Sequence, residues 1–419
     1  MLSKFISDAV ARHNDGDSDW LRARRSAAAE ALADAELPTT DEEVWRYSRI
    51  DELELDRFTP ALGGAEVSPL ADTFGAGAVV VVGNGRIVDV QVDAGWSSKG
   101  VRIGRLDDRD EDEALLGSAL HEAPDPFTLL NAAGMADPIL VQVPEGVELD
   151  RPVLVAHTVA GHGSAAFPRL VVHAGPGSAV SVIEVQASDE EPTLVVPITE
   201  IVAERAARVG HVTLQQLGLA TWQVGLQASR LESESTLRST SVGFGGEYAR
   251  LRTDCRMVGR GASGELDAIY FGEGDQTLDF RTFQEHVAPD CTSNLLYKGA
   301  VGGRSRSVYT GLIRVGKDAR GTNAFQTNRN IKLSDEAWAE SVPNLVIENN
   351  DVRCSHASAV GPIDEDQRFY LESRGLPTDL AERLIVGGFF AEVLAKLPVA
   401  GLVPVLAATI AAKFDRREA

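Results

Sequence analysis

From Ile139 to about Leu333 the chain shows almost no helical period, and one strand-like segment follows another. "ILVQVPEGVEL", "PVLVAHTVA", "PRLVVHAGPGSAVSVIEVQ", "HVTLQQLGLATWQVGLQA" and "RLRTDCRMVGRGASGELDAIYFG" carry the β-branched content and alternation of strands. Turns bearing Gly, Asp or Asn separate them. Short strands must bury one face against something, so a run this long leaves a sandwich or a solenoid of stacked turns. "HAGPGSAVSVIEV", "VGRGASGELDAIYF" and "VGKDARGTNAFQ" share one pattern, a turn followed by a small residue and an alternating strand. The repeat is too irregular for its period alone to decide between the two.

Helical segments flank this region. "WLRARRSAAAEALADAEL" is rich in helix formers. In "PTTDEEVWRYSRIDELELDRF", Thr40 is placed to cap a second helix, with Asp41, Glu42 and Glu43 at its positive end. "AVVVVGNGRIVDVQVDAG" reads as a hairpin turning at Asn84 and Gly85, and "HEAPDPFTLLNAAGMADP" as a short helix between breakers. After the strands, "DEDQRFYLESRG" ends at Gly375, a natural C′ residue. "PTDLAERLIVGGFFAEVLAKLP" takes Thr378 as N-cap and sets Leu380, Leu384, Ile385, Phe389, Val393 and Leu397 at helical spacing. "GLVPVLAATIAAKFDRREA" makes a last helix. The expected organisation is a helical N-terminal region with a small β segment over 1–138, a β core over 139–360 and a helical C-terminal domain over 361–419.

A chain of 419 residues needs several structural units or one elongated body. Its formal net charge of −22 argues against nucleic acid, whose phosphates need a basic face. No apolar run approaches the roughly 20 residues needed to span a bilayer. The amphipathic start "MLSKFISDAVARHNDGDSDW" lacks a signal peptide's apolar stretch and cleavage site, so the expected location is the cytoplasm. Three dispersed cysteines, Cys255, Cys291 and Cys354, make no disulfide framework, which agrees with a reducing compartment.

Two motifs mimic nucleotide sites. "GRGASG" has the dinucleotide-binding spacing, but "ELDAIYFG" after it alternates like a strand, so no helix N-terminus would face a pyrophosphate. "GLIRVGKD" approaches a P-loop, yet Asp318 stands where a magnesium-binding hydroxyl is needed. The histidines of "HTVAGH", His157 and His162, read as surface residues. No serine-hydrolase elbow and no Cys-x-x-Cys occurs.

"DVRCSHAS" sets Cys354 two residues from His356. On an extended strand, i and i+2 share a side. A thiolate and an imidazole could then face one ion, a pair suited to zinc or iron–sulfur chemistry. Two ligands do not complete a site, so a partner would have to supply the rest. The alternative is a packed thiol beside a solvated imidazole.

The chain resembles the SufB/SufD family of iron–sulfur cluster assembly proteins. The resemblance is carried by "NRNIKLSDEA", "PNLVIENNDVRCSHA", "VGPIDEDQRFYLESRG" and "AERLIVGGFFAEVL". Weaker pieces are "EEVWRYS", "GNGRIVDVQVDAG" and "LNAAGMADPILVQVPEGVELDRPVLV". It looks more like SufD, because Ala357 follows "CSH" where SufB-like chains usually carry glutamate. The resemblance implies a right-handed parallel β-helix core between helical terminal regions. It implies a non-catalytic scaffold working with a SufB-like paralogue and a SufC-like ATPase; isolated, the chain could pair with a second copy. It puts Cys354 and His356 near the paralogue, where a transient iron–sulfur cluster forms, and the ATPase on the helix bearing Leu380, Leu384, Ile385, Phe389, Val393 and Leu397. Competing readings are a structural adaptor with an inert Cys354 and a β-helix enzyme acting on polysaccharide. If the two nucleotide motifs are turns, equilibrium dialysis with ATP and magnesium should show no saturable binding to this chain; binding abolished by Lys317→Ala would show a working P-loop.

Overall fold

The computed structural model describes residues 17–61, 63, 74–106, 109–121 and 125–417. Residues 1–16 of the amphipathic start lie outside the described residues.

Between Ile139 and Pro362 no helix interrupts the strands. Consecutive strands alternate between two sheets, so each strand pairs in parallel with one from the next turn along. Ala228, Asp254, Phe283, Leu312 and Asn344, for example, stand in one column of register. This is a parallel β-solenoid of about 8 turns, and the chain is mainly β, with 45% strand against 21% helix. A sandwich would have brought antiparallel pairs; a solenoid brings parallel ones because every turn repeats the direction of the last.

One sheet ends in strand Trp338–Ile347, the other in Val352–Pro362. At the opposite end the ladder is closed by antiparallel strands: Arg86–Val92 on Ala78–Gly83, and Arg102–Arg105 on Ile139–Val143. The hairpin turns at Asn84 and Gly85 as expected, both at positive φ. The small β segment of the N-terminal region is thus continuous with the solenoid, since Ala78–Gly83 also pairs with Val153–Val159. "GRGASG" is a turn between strands Tyr248–Met257 and Ser263–Gly272, where Gly261 takes a φ of +72°. "GLIRVGKD" runs from strand Arg306–Val315 into a turn, with no helix after it.

Six α-helices are described: α1 (Asp19–Ala33), α2 (Ala94–Ser97), α3 (Pro126–Gly134), α4 (Glu365–Ser373), α5 (Thr378–Leu394) and α6 (Val403–Arg417). None is long and apolar enough to cross a membrane. Ser18 caps α1 by accepting from the Leu21 amide at 3.3 Å. The expected second helix does not form. Residues 43–57 make three single 3-10 turns, Glu43–Trp45, Ile50–Glu52 and Leu55–Arg57, and the Thr40 hydroxyl donates to Asp51 instead of capping. Tertiary packing overrides propensity here. Trp45, Ile50, Leu53, Leu55 and Phe58 all bury themselves with Trp222 and Tyr248, which a single helical face could not arrange. Arg250 lies 3.7 Å from the Trp45 ring centroid and donates to Asp279 at 2.9 Å, pinning this strap to the sheet.

At the other end, α5 and α6 cover the outer face of the second sheet. Val386, Phe390, Val393 and Leu397 pack on Ile183, Val212, Ile269 and Phe271, with the Phe271 ring 6.4 Å from that of Phe390 and 5.2 Å from that of Phe414. Gly375 is the C′ residue of α4, at a φ of +90°. The cap of α5 differs from expectation. Pro377 precedes the first turn, and the Thr378 hydroxyl instead donates to Glu372 of α4 at 2.8 Å.

Asp267 lies under this helical cover, 3.8 Å from Lys396. Burial pushes its carboxyl up to about 6, which Lys396 only partly offsets. A raised folded value contributes stability below the unfolded value of about 3.9 and loses it as pH climbs through about 6. Asp267→Asn is therefore expected to flatten the stability profile between about pH 4 and 6 and to stabilise the fold at pH 7, by on the order of 3 kcal/mol at about 1.4 kcal/mol per unit. Thermal melts across that window check this; an unchanged slope would show that Asp267 does not titrate there.

Candidate functional site at the open end of the solenoid

Cys354 and His356 lie on Val352–Pro362, the last strand of its sheet. Its one neighbour in that sheet is Thr322–Lys332, and the register sets Cys354 on Ala324 and His356 on Gln326. Ala324 and Gln326 are buried inward-facing residues, while Phe325 between them is 41% exposed. Strand alternation therefore turns Cys354 and His356 toward the lumen, and Arg353 and Ser355 away from it. The two candidate ligands share a face, as their spacing predicts.

Their surroundings differ. Cys354 is half-buried in an apolar corner formed by Ile313, Val315, Ala319, Ala324, Leu345 and Val352. Burial there raises the thiol above its ordinary value, and a backbone hydrogen bond at Ala324 offsets part of the rise. His356 is exposed, because no further turn covers it among the described residues. Among the described residues no group of three or more His, Cys, Asp or Glu could hold a metal ion. Cys354 and His356 thus stand as a pair on one face of the last strand, with no third such side chain grouped with them among the described residues.

Cys255 and Cys291 do not join them. Both are fully buried packing residues deeper in the lumen. Burial pushes the Cys255 thiol up to about 12 and also raises Cys291. Of the "HTVAGH" histidines, His162 is exposed and 3.0 Å from Glu191, but His157 corrects the surface expectation. It is 3% exposed, turned inward by the alternation of strand Val153–Val159, 3.7 Å from the buried Glu184.

The six residues of the expected docking stripe divide. Val393 and Leu397 are buried against the solenoid and unavailable to a partner, which corrects that part of the expectation. The reason is rotation: the face of α5 carrying Val386, Phe390 and Val393 is the one that covers the sheet. Leu380 and Leu384 are exposed, and Ile385 and Phe389 are half-buried at the margin. Beside them a groove of about 1130 Å³ runs between α4, α5 and the last two strands of the second sheet, lined by Ile331, Gly361, Tyr370, Leu384 and Phe389. Phe369 and Tyr370 of α4 are also exposed, at 71% and 57%.

Residues 157–389 match the family model described as "SUF system FeS cluster assembly, SufBD core domain". The chain belongs to this family. The match takes in most of the solenoid, Cys354, His356 and most of α5, and leaves the first strands, α1 and α6 outside. A SufBD family protein of Mycobacterium tuberculosis is 37% identical over 62% of this chain and 67% of its own length. The Escherichia coli iron–sulfur cluster assembly protein SufD is 29% identical over 87% of this chain and 86% of its own. The SufD of Bacillus subtilis is 28% identical over 68% and 66%. The chain is SufD-like within the family, and its role lies in SUF iron–sulfur cluster assembly.

Sequence reading missed the polar lumen under the last turn, which includes Gln326, Asn328 and Asn330. The available signal was the alternation in "TNAFQTNRNIK", which places six polar or small residues in one phase. Thiolate is the reactive form of cysteine, so the raised Cys354 thiol is expected to be alkylated by iodoacetamide slowly at neutral pH, with a midpoint above that of an ordinary cysteine thiol. Cys255 and Cys291 should react only on unfolding. Mass spectrometry of pH-jumped samples checks both; fast neutral labelling of Cys354 would mean that its corner is not apolar in solution.

Proposed function

We propose that this chain is a non-catalytic scaffold subunit that supports formation of an iron–sulfur cluster at an interface with a SufB-like paralogue. The observation that carries the reading is the half-complete donor pair at the open end of a solenoid. Cys354 and His356 share one face, and no third donor stands beside them among the described residues. The cluster is cargo, and the remaining ligands come from the partner. Thiolate and imidazole are competent iron ligands, and the raised thiol means that iron or the partner must draw off its proton.

The end itself suits a partner. Trp338–Ile347 and Val352–Pro362 each finish a sheet, so each presents a ladder edge with no neighbouring strand among the described residues. Exposed edges of this kind are templates for strand addition. Val346, Ile347 and Val360 add apolar surface there. In isolation a second copy could use the same edge. The SufC-like ATPase would dock on the exposed part of α5, Leu380 and Leu384, with Ile385 and Phe389 at its margin. Three free cysteines suit a cytoplasmic, reducing setting.

Two experiments test this. In a reconstituted complex, His356→Ala should leave assembly of the subunits intact and lower cluster formation on the order of tenfold or more; Cys354→Ser is expected to be milder if the partner supplies thiolates. Normal cluster formation by both single variants and the double variant would place the site elsewhere. Leu380→Asp with Leu384→Asp should weaken ATPase binding by about a hundredfold, since each buried leucine contributes about 1.5 kcal/mol or more. Unchanged affinity in calorimetry would remove α5 as the docking element.

A further inference from the structure

A cavity of about 360 Å³ lies against the sheet that ends in Trp338–Ile347. Arg252, Asp254 and Arg256 of strand Tyr248–Met257 line it. Cys255, between them, points into the core, so these three stand on the outer face, away from the lumen that Cys354 and His356 face. Val44 and Ala119 close the sides, and both are held in place. The Arg250 guanidinium donates to the Val44 carbonyl at 2.9 Å. The Glu200 carboxylate accepts from the Gly117 and Ala119 amides at 2.8 and 3.1 Å. The cavity is thus built into the fold, and its size falls within the range of about 300–1,000 Å³ usual for small-molecule sites.

Its walls carry three arginines, Arg252, Arg256 and Arg314, against two carboxylates, Asp254 and Glu285. This excess of positive charge sits in a chain whose formal net charge is −22. Each carboxylate takes one guanidinium through Nε: Arg252 donates to Asp254 at 2.8 Å, and Arg256 to Glu285 at 2.7 Å. The Arg252 guanidinium also lies over the Phe283 ring, 4.3 Å from its centroid. The terminal Nη atoms of both arginines have no hydrogen-bond partner among the described residues, and Arg314 has no hydrogen-bond or ion-pair partner among them. An ordinary exposed pair differs: Arg304 spends both Nε and Nη2 on Asp275. A guanidinium fixed through Nε holds its remaining donors in a set orientation, suited to the oxygens of a phosphate or carboxylate. Glu285 does not cancel this, because it stands in register between Arg256 and Arg314.

We propose that this cavity binds a small organic oxyanion, a phosphate or carboxylate carried on an apolar body. The free Nη groups of Arg252 and Arg256 supply the donors, and Arg314 adds charge at the exposed rim. Leu120, Leu226 and Phe283 cover the apolar part. The site is separate from the cluster site, so its test does not depend on the functional reading of Cys354 and His356.

The test is calorimetry on the full-length chain with phenyl phosphate, benzoate and inorganic phosphate as probes. Phenyl phosphate or benzoate should bind with a Kd of about 1 mM or tighter; binding of either supports the proposal, and the tighter one names the oxyanion. Inorganic phosphate, with no apolar body to bury, should bind about tenfold more weakly than phenyl phosphate. Arg252→Gln and Arg256→Gln should each weaken binding about tenfold or more, the worth of a hydrogen bond to a charged group. Both variants also break an ion pair, so Leu120→Asp repeats the test from the opposite wall and should weaken binding about tenfold by repulsion. Arg304→Gln removes the same charge elsewhere and should leave the affinity unchanged. Thermal melts establish that each variant is folded. No saturable binding of phenyl phosphate or benzoate up to about 10 mM would overturn the proposal. So would an equal loss in Arg304→Gln, which would make the effect one of net charge, or inorganic phosphate binding as tightly as phenyl phosphate, which would leave the apolar wall without a role.

Discussion

Every feature of this chain depends on the in-register parallel ladder between successive turns. Each inner strand satisfies its backbone groups with the strand one turn before and one turn after it. The register makes columns of side chains, and a residue's environment is set by its column and by whether another turn covers it. Ala228 to Asn344 in one sheet and Leu295, Gln326 and His356 in the other are such columns. A ladder of this kind has no internal reason to stop. It is closed at the beginning by antiparallel strands, and at the end, where the candidate site stands, no further strand pairs with it among the described residues.

The columns also explain how a solenoid tolerates a polar interior. Glu184 is 1% exposed, yet it accepts from Thr199 at 2.7 Å and Gln186 at 2.8 Å and lies 3.4 Å from His211. Burial alone would raise its carboxyl, but these partners pull it down to about 2. Burial drives His157 the other way, toward the neutral ring, against the opposing pull of Glu184. The ring of Tyr270, Asn328 and Asn330 repeats the device nearer the open end. Polar groups are affordable inside because the ladder holds them in fixed geometry.

The outer faces obey a different logic. Each sheet needs cover for its apolar outer residues, and the two terminal regions provide it. The strap of residues 43–58 does so in extended and 3-10 form on one sheet, and α5 with α6 does so on the other. Both regions read as helix in sequence. For the strap, contact with Trp222 and Tyr248 selects a path that visits the sheet at irregular intervals, which helix propensity cannot anticipate. For α5, helix and stripe were legible, but the division of its apolar residues between sheet and solvent was not.

The amino-acid sequence determined the local rules: strands from Ile139 onward, turns at Asn84–Gly85 and Gly261, the stop at Gly375, and the shared face of Cys354 and His356. All of these follow from the period of the backbone or the conformational range of one residue, so no distant contact is needed to read them. Only the tertiary structure decided which phase of each strand faces the lumen. In "TNAFQTNRNIK" the polar phase goes in and Phe325 goes out, against the usual assignment of apolar residues to the core. Tertiary structure likewise buried His157, aligned Gln326 with His356, and took Val393 and Leu397 from the docking surface. The physical reason is one and the same. These properties belong to pairs of residues a full turn or more apart, and what a side chain meets is settled by the turn that lies, or does not lie, above it.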